Sequence, residues 1–216
     1  MQINFVSTTR ADISILLPLI SAIDSKGYSY RALAFGLKHS ETVSKEFIRL
    51  KLKGNVHKFT FNPKPQDTEQ IISGMADLTR SLLDVELDSE NDCVVVLGDR
   101  YELIPIVAHC FMRNIKVLHF CGGDRTLGSK DDKIRDVISK LASFHFVTNS
   151  LSMENLLKLG ADKSTIINVG HIPLQELVPL KGDRKKIARD IRVVARDRNV
   201  LVTLHPDTTK SFLCNI

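Results

Sequence analysis

Cys93-Val-Val-Val-Leu97-Gly98-Asp99-Arg100 is the stretch on which the fold turns. It begins with an apolar, mostly β-branched run in which no polar residue alternates. Such a run is too short for a helix and lacks the alternation of a strand with one wet face; it fits a parallel strand covered on both sides. Gly98-Asp99-Arg100 ends it with a turn residue and two charges. Outward from this strand the pattern repeats. Short apolar runs predict strands over residues 3–6, 30–35, 56–61, 93–97, 116–120, 144–148, 165–169 and 200–204. Apolar residues at three- and four-residue spacing predict helices over 13–23, 44–52, 68–85, 101–112 and 131–141. Another is opened by Ser150 as its cap with Glu154 behind it, and a charged one covers 185–195. Two prolines make 62–65 a loop, and 121–130 is a glycine-rich one. Strand and helix alternating about seven times describe an α/β chain, a Rossmann-like parallel sheet with helices on both faces. The strand over 200–204 opens a fresh unit after a long charged helix, which suggests a second domain.

The 216 residues carry 30 Lys and Arg against 25 Asp and Glu, and 43% are hydrophobic. A chain of that length and balance can bury its own core, which excludes intrinsic disorder as the main state. No apolar run reaches the ~20 residues of a membrane span. The start, Met1-Gln-Ile-Asn-Phe-Val6, lacks the charged region and small-residue cleavage site of a secretory signal. A net charge of +5 by itself invites nucleic acid. The bases are interspersed with acids, however, and the one dense run, Lys181-Gly-Asp-Arg-Lys-Lys186, reads as a solvated helix face. Neither a nucleic-acid nor a membrane partner is therefore expected. Cys93, Cys110, Cys121 and Cys214 form no C-x-x-C pair and show no zinc spacing. No metal or other cofactor is expected, and the cysteine usage points to a reducing cytoplasm.

In an open α/β sheet, ligands bind beyond the carboxyl ends of the strands. Those ends read Thr8-Thr-Arg-Ala-Asp12, Gly98-Asp-Arg100 with Glu102 close behind, Cys121-Gly-Gly-Asp-Arg-Thr126, and His205-Pro-Asp-Thr208. Acids, arginines and glycines gather where a ligand belongs, and charges at buried strand ends are costly unless used or paired. Plainer readings stand beside the functional one. Asp99 could cap the next helix while Arg100 pairs at the surface; Asp131 and Arg135 have the i,i+4 spacing of a helix ion pair; His119 could be a satisfied core histidine. Gly122-Gly123 allows close backbone approach to a ligand. Neither G-x-G-x-x-G nor G-x-x-x-x-G-K-[ST] is present, so a dinucleotide fingerprint and a P-loop are both excluded.

Thr9-Arg-Ala-Asp12, Gly98-Asp-Arg-Tyr-Glu102, His119-Phe-Cys-Gly-Gly-Asp124 and Asp131-Asp-Lys-Ile-Arg135 carry a resemblance in their order and spacing. Residues 139–147, Leu159-Gly160, Asn168-Val-Gly170 and His205-Pro206 continue it, so that it runs from about residue 5 to 208. The chain resembles the hydrolysing UDP-N-acetylglucosamine 2-epimerases of sialic-acid and related nonulosonic-acid biosynthesis. The resemblance implies the N-terminal half of a two-domain, GT-B-like fold with a cleft between the domains. It implies an N-terminal Rossmann-like domain over 1–180 and, over 181–216, a connecting helix and the first strand of a nucleotide-binding domain. The implied reaction eliminates UDP across C1–C2 of the sugar and hydrates the resulting glycal to free N-acetylmannosamine, or does the same on a related UDP-diacetamido sugar. Carboxylates move the C2 proton when burial tunes their pKa, and cations and N–H groups hold the departing diphosphate.

By that resemblance the candidate catalytic residues are Asp99, Asp124 and Asp131. The candidate substrate-binding residues are Arg10, Gly98, Arg100, His119, Gly122, Gly123, Arg135 and His205. The UDP-sugar is the expected partner, and a homodimer or higher homo-oligomer through the helices over 68–85 and 101–112 the expected assembly. Two departures matter. The family's enzymes are longer, so this chain is expected to be truncated and to have little or no activity by itself, and a catalytically inactive folding or association module stands as the alternative to the epimerase reading. The third residue of the H-x-x-G-G motif is Glu or His in relatives and here is Cys121, a thiol of ordinary pKa ~8.5 and a weak substitute for a proton carrier.

Overall fold

The computed structural model of the chain describes residues 1–59, 68–126, 129, 131–176 and 189. The described strands are β1 (Gln2–Ser7), β2 (Ser29–Phe35), β3 (Asn55–Phe59), β4 (Asp92–Leu97), β5 (Lys116–Phe120), β6 (Phe144–Val147) and β7 (Ile166–Asn168). The helices are α1 (Arg10–Ser25), α2 (Leu37–Arg49), α3 (Thr68–Ser81), α4 (Leu103–Met112), α5 (Asp131–Leu141) and α6 (Ser150–Leu159). All seven strands form one sheet in the order β3-β2-β1-β4-β5-β6-β7, and every neighbouring pair is parallel. This is the Rossmann order, and its direction reverses between β1 and β4.

The Cys93–Leu97 run lies in the middle strand. Val94 and Val96 point into a core built with α3, α4 and α5 through Leu78, Ile106, Val107 and Ile138. Cys93, Val95 and Leu97 point into the opposite core with α1 and α2, through Ile13, Leu16, Val43 and Phe47. Both faces are therefore dry, which is why no polar residue alternates along the strand. A third, smaller cluster seats α6 through Leu156 against Val147 and Ile166.

Several boundaries differ from the periodicity, among them 13–23, observed as Arg10–Ser25, and 101–112, observed as Leu103–Met112; three others show their cause. The helix expected over 44–52 begins earlier, at Leu37, where Gly36 turns the chain at φ 98° and Ser40 Oγ donates to the carbonyls of Ala34 and Gly36. The helix expected over 68–85 stops at Ser81 and tightens into a 3₁₀ turn over Leu82–Asp84 that carries Leu82 and Val85 into the core. Asn149, not Ser150, caps α6 by accepting from the Ser152 N–H at 3.0 Å. The loop over 62–65 and the strand over 200–204 lie outside the described residues; of the helix over 185–195 only Arg189 is described, and it is helical. The chain divides into two compact units, Met1–Gln175 and Glu176–Ile216. No helix among the described residues is long and apolar enough to cross a membrane.

Candidate functional site

The reversal of strand order brings the carboxyl ends of β1 and β4 side by side. Beyond β1, the Asp12 carboxylate accepts from the N–H and hydroxyl of both Thr8 and Thr9, at 2.8–2.9 Å. Thr9 and Asp12 form a capping box, so the first turn of α1 is fixed with its positive end at the strand edge. Arg10 is the first residue of that helix. Such an N-terminus favours anions.

Beyond β4, Gly98 turns at φ 77°, and nothing stands within 4 Å of where a Cβ would be. Asp99 follows, and its carboxylate pairs with Arg135 from α5. The Arg135 side chain is only 7% exposed. It also donates to Asp132 at 2.7 Å and to the Asp124 carbonyl at 2.5 Å. Burial pushes the Asp99 carboxyl above its ordinary range; Arg135 opposes the shift, and Asp131 and Asp132 add to it. Asp99 thus has a cation at hand while burial holds its carboxyl above the usual carboxylate range, as suits a group that takes and returns a proton. Arg100 forks onto buried Glu102, at 2.6 and 3.2 Å. Its side chain stays 40% exposed at the rim.

Beyond β5 the motif residues separate. His119 is fully buried; its Nε2 lies 2.8 Å from the Gly98 carbonyl and its Nδ1 3.0 Å from Ser139 Oγ. Burial pushes its pKa down to about 3, so the ring is neutral at physiological pH. Cys121 adopts the left-handed conformation at φ 61°. Burial and the Asp124 carboxylate push its thiol up to about 12. Gly122 covers the His119–Ser139 contact, where a Cβ would come within 3.0 and 3.1 Å of the two side chains. Gly123 turns at φ 77° against α6, where a Cβ would meet the Ser152 carbonyl at 2.1 Å. Asp124 is turned the same way, accepting from Thr148 at 2.7 Å and Ser152 at 2.5 Å. Among the described residues no cluster of three or more His, Cys, Asp or Glu could hold a metal ion.

A match to the family model described as UDP-N-acetylglucosamine 2-epimerase runs over residues 22–212 and so spans β2 through β7 and the α4–α5 side of this edge. The chain belongs to that epimerase family. Within it, the chain is 31% identical to the GDP/UDP-N,N'-diacetylbacillosamine 2-epimerase (hydrolyzing) of Campylobacter jejuni, covering 96% of this chain and 55% of that protein. The fold is that of the epimerases' GT-B-like structures. The Neisseria meningitidis UDP-GlcNAc 2-epimerase bound to UDP-GlcNAc superposes with a TM-score of 0.65 at 22% identity, over 80% of this chain and 47% of that one. The Methanocaldococcus jannaschii enzyme in complex with UDP-GlcNAc and UDP gives 0.67 at 21% identity, over 89% and 52%. The chain spans about half the length of the curated relatives it matches.

Of the epimerase-like residues read from the sequence, Asp99, Arg135, Gly98 and Arg100 come together at the β4 end, with Asp131 at the start of α5 close enough to act on the Asp99 charge. Asp124 is bound up with α6, and His119 lies beneath the Gly98 turn. His205 lies outside the described residues. The i,i+4 pairing of Asp131 with Arg135 is replaced by the longer-range pair with Asp99 and an i,i+3 pair with Asp132. The sequence reading of the site missed Asp132 and Ser139. Their signal was positional: Asp132 lies three before Arg135 and Ser139 four after it, on one helix face.

Proposed function

We propose that the chain forms the N-terminal half of a hydrolysing UDP-sugar 2-epimerase, with a nucleotide-binding domain beginning within residues 181–216. The reaction is elimination of UDP across C1–C2, followed by addition of water to the glycal and release of the free sugar with inverted C2. The pair of half-buried Asp99 with buried Arg135 at the topological switch point carries this reading. Asp99 is the proton-transfer group, Asp131 a second carboxylate beside it, and the N-terminus of α1, where Arg10 stands, together with Arg100 forms the diphosphate side of the site. The substrate class follows the relatives' names: UDP-N-acetylglucosamine, or a UDP-diacetamido sugar as for the Campylobacter protein.

A homodimer through α3 and α4 suits the exposed apolar Ile72, Phe111 and Met112 on those helices. The free thiols of Cys93, Cys110 and Cys121 suit a cytoplasmic location.

The test is incubation of the chain with each UDP-sugar, following release of UDP and free sugar. Turnover abolished by Asp99→Asn supports the assignment. One observation favours a second reading, a non-catalytic module. By the resemblance, Cys121 stands in place of a proton-transferring residue, and its thiol is pushed up to about 12. On that reading no UDP appears, and Asp99→Asn changes nothing.

A further inference from the structure

His119 has its place in the motif, but its side chain is fully buried. What it does reach is fully determined. The Gly98 carbonyl can only accept, so the Nε2 beside it carries the ring proton. The ring is neutral, so Nδ1 is bare and accepts from the Ser139 hydroxyl. One imidazole in one tautomer thus ties the turn after β4 to the inner face of α5.

That tie closes a circuit. Gly98 is covalently next to Asp99. Asp99 pairs with Arg135, and Arg135 lies four residues before Ser139, one turn along the same helix face. Ser139 returns to His119, and His119 to Gly98. No atom stands within 4 Å of where a Cβ on Gly98 would be, so packing there does not hold the turn. Hydrogen bonds hold it instead: its N–H donates to the Phe120 carbonyl at 3.0 Å, and its carbonyl accepts from His119. The bare face of Gly122 is what leaves room for the His119–Ser139 pair.

We propose that His119, through Gly98 on one side and Ser139 on the other, is a positioning residue that sets the distance between the Asp99 carboxylate and the Arg135 guanidinium. This rests on the reading of Asp99 as the proton-transfer group. Loosening either tie lets α5 shift against the β4 turn, which weakens the hold of Arg135 on the ionised carboxylate.

The experiment follows the Asp99 carboxyl carbon by NMR through a pH titration of the full chain, a readout that needs no turnover. Ser139→Ala and His119→Gln should each raise the Asp99 midpoint by about 1 unit, because an opposing cation is moved away. Ser139→Thr keeps the hydroxyl and should restore the original midpoint. Ser40→Ala removes a different fully buried serine, on α2, and should leave it unmoved. An unchanged midpoint in folded Ser139→Ala, or an equal shift in Ser40→Ala, overturns the proposal. Where the variants do not fold, the ring nitrogens of the unaltered chain decide: a proton on Nε2 with Nδ1 bare supports it, and the opposite tautomer refutes it. A chain that shows the expected shifts yet releases no UDP would remove the functional reading and leave the positioning intact.

Discussion

At the amino edge of the sheet, Gln2, Arg31, Glu86, Asp88, Asp92 and Arg113 surround a concavity of about 440 Å³. At the carboxyl edge, Asp99, Asp132 and Arg135 make a smaller cluster beneath the β4 turn. Both edges are charged, but they hold their charges differently. Arg113 is exposed, and Arg31 donates to Asn4 and to the Glu86 carbonyl on the rim. Arg135 is buried among carboxylates from two different elements. A solvated charge costs almost nothing to keep, whereas a buried one costs several kcal/mol unless it is paired. Concavity and charge count favour the amino edge. Buried charge bridging separate elements favours the carboxyl edge, and that is the better mark of a working site.

The largest test of this contrast is removal of one arginine from each edge. Arg135→Met should lower stability by about 3 kcal/mol or more, because it strands Asp99 and Asp132, while Arg113→Met should stay within about 0.5 kcal/mol. Urea unfolding of the two variants measures this, and equal losses would break the contrast.

Glycine gives the next effect. Gly123 and Gly27 share nearly the same backbone, φ 77° and 75°, one at each edge. A Cβ at Gly27 meets nothing within 4 Å, whereas at Gly123 it strikes the Ser152 carbonyl. Gly123→Ala should cost about 3 kcal/mol from strain and overpacking together, and Gly27→Ala about 1 kcal/mol from strain alone. Melting temperatures rank them, and the reverse order would show that the turn after β5 yields easily where it packs on α6.

The smallest of the three is pH dependence. His119 binds a proton in the unfolded chain at its ordinary value and in the folded chain only near about 3, so protons favour the unfolded state. Stability is whole above pH ~6.5 and is lost as pH falls below it, by about 2 kcal/mol at pH 5. Burial lowers His109 and His145 as well, with the same sign. His119→Gln should therefore flatten the slope of stability between pH 7 and 5 without abolishing it. A slope unaltered in that variant would mean that His119 is hydrated in solution.

Local pattern carried much of the architecture. The strand over 116–120 and the helix over 131–141 have the bounds that apolar spacing predicts: the strand's Val117 and Phe120 enter the cores on opposite faces, and the helix buries one stripe through Ile138. The start of α2 was hidden, since Gly36 and the Ser40 hydroxyl set it rather than any apolar residue. At the site, the residue types at the strand ends were legible, but their partners were not. Spacing offered Asp131 to Arg135, yet the pair forms with Asp99, 36 residues away.

By itself, then, the sequence determined the alternation of strand and helix, the doubly buried middle strand and the gathering of charge at the carboxyl edge. These follow from side-chain polarity and spacing within a few residues of chain. Only the tertiary structure decided that Asp99 meets Arg135, that Asp124 turns to α6, and that His119 is buried beneath the Gly98 turn. Those contacts join residues on different elements, and their distances depend on strand order and helix seating, which no local spacing encodes.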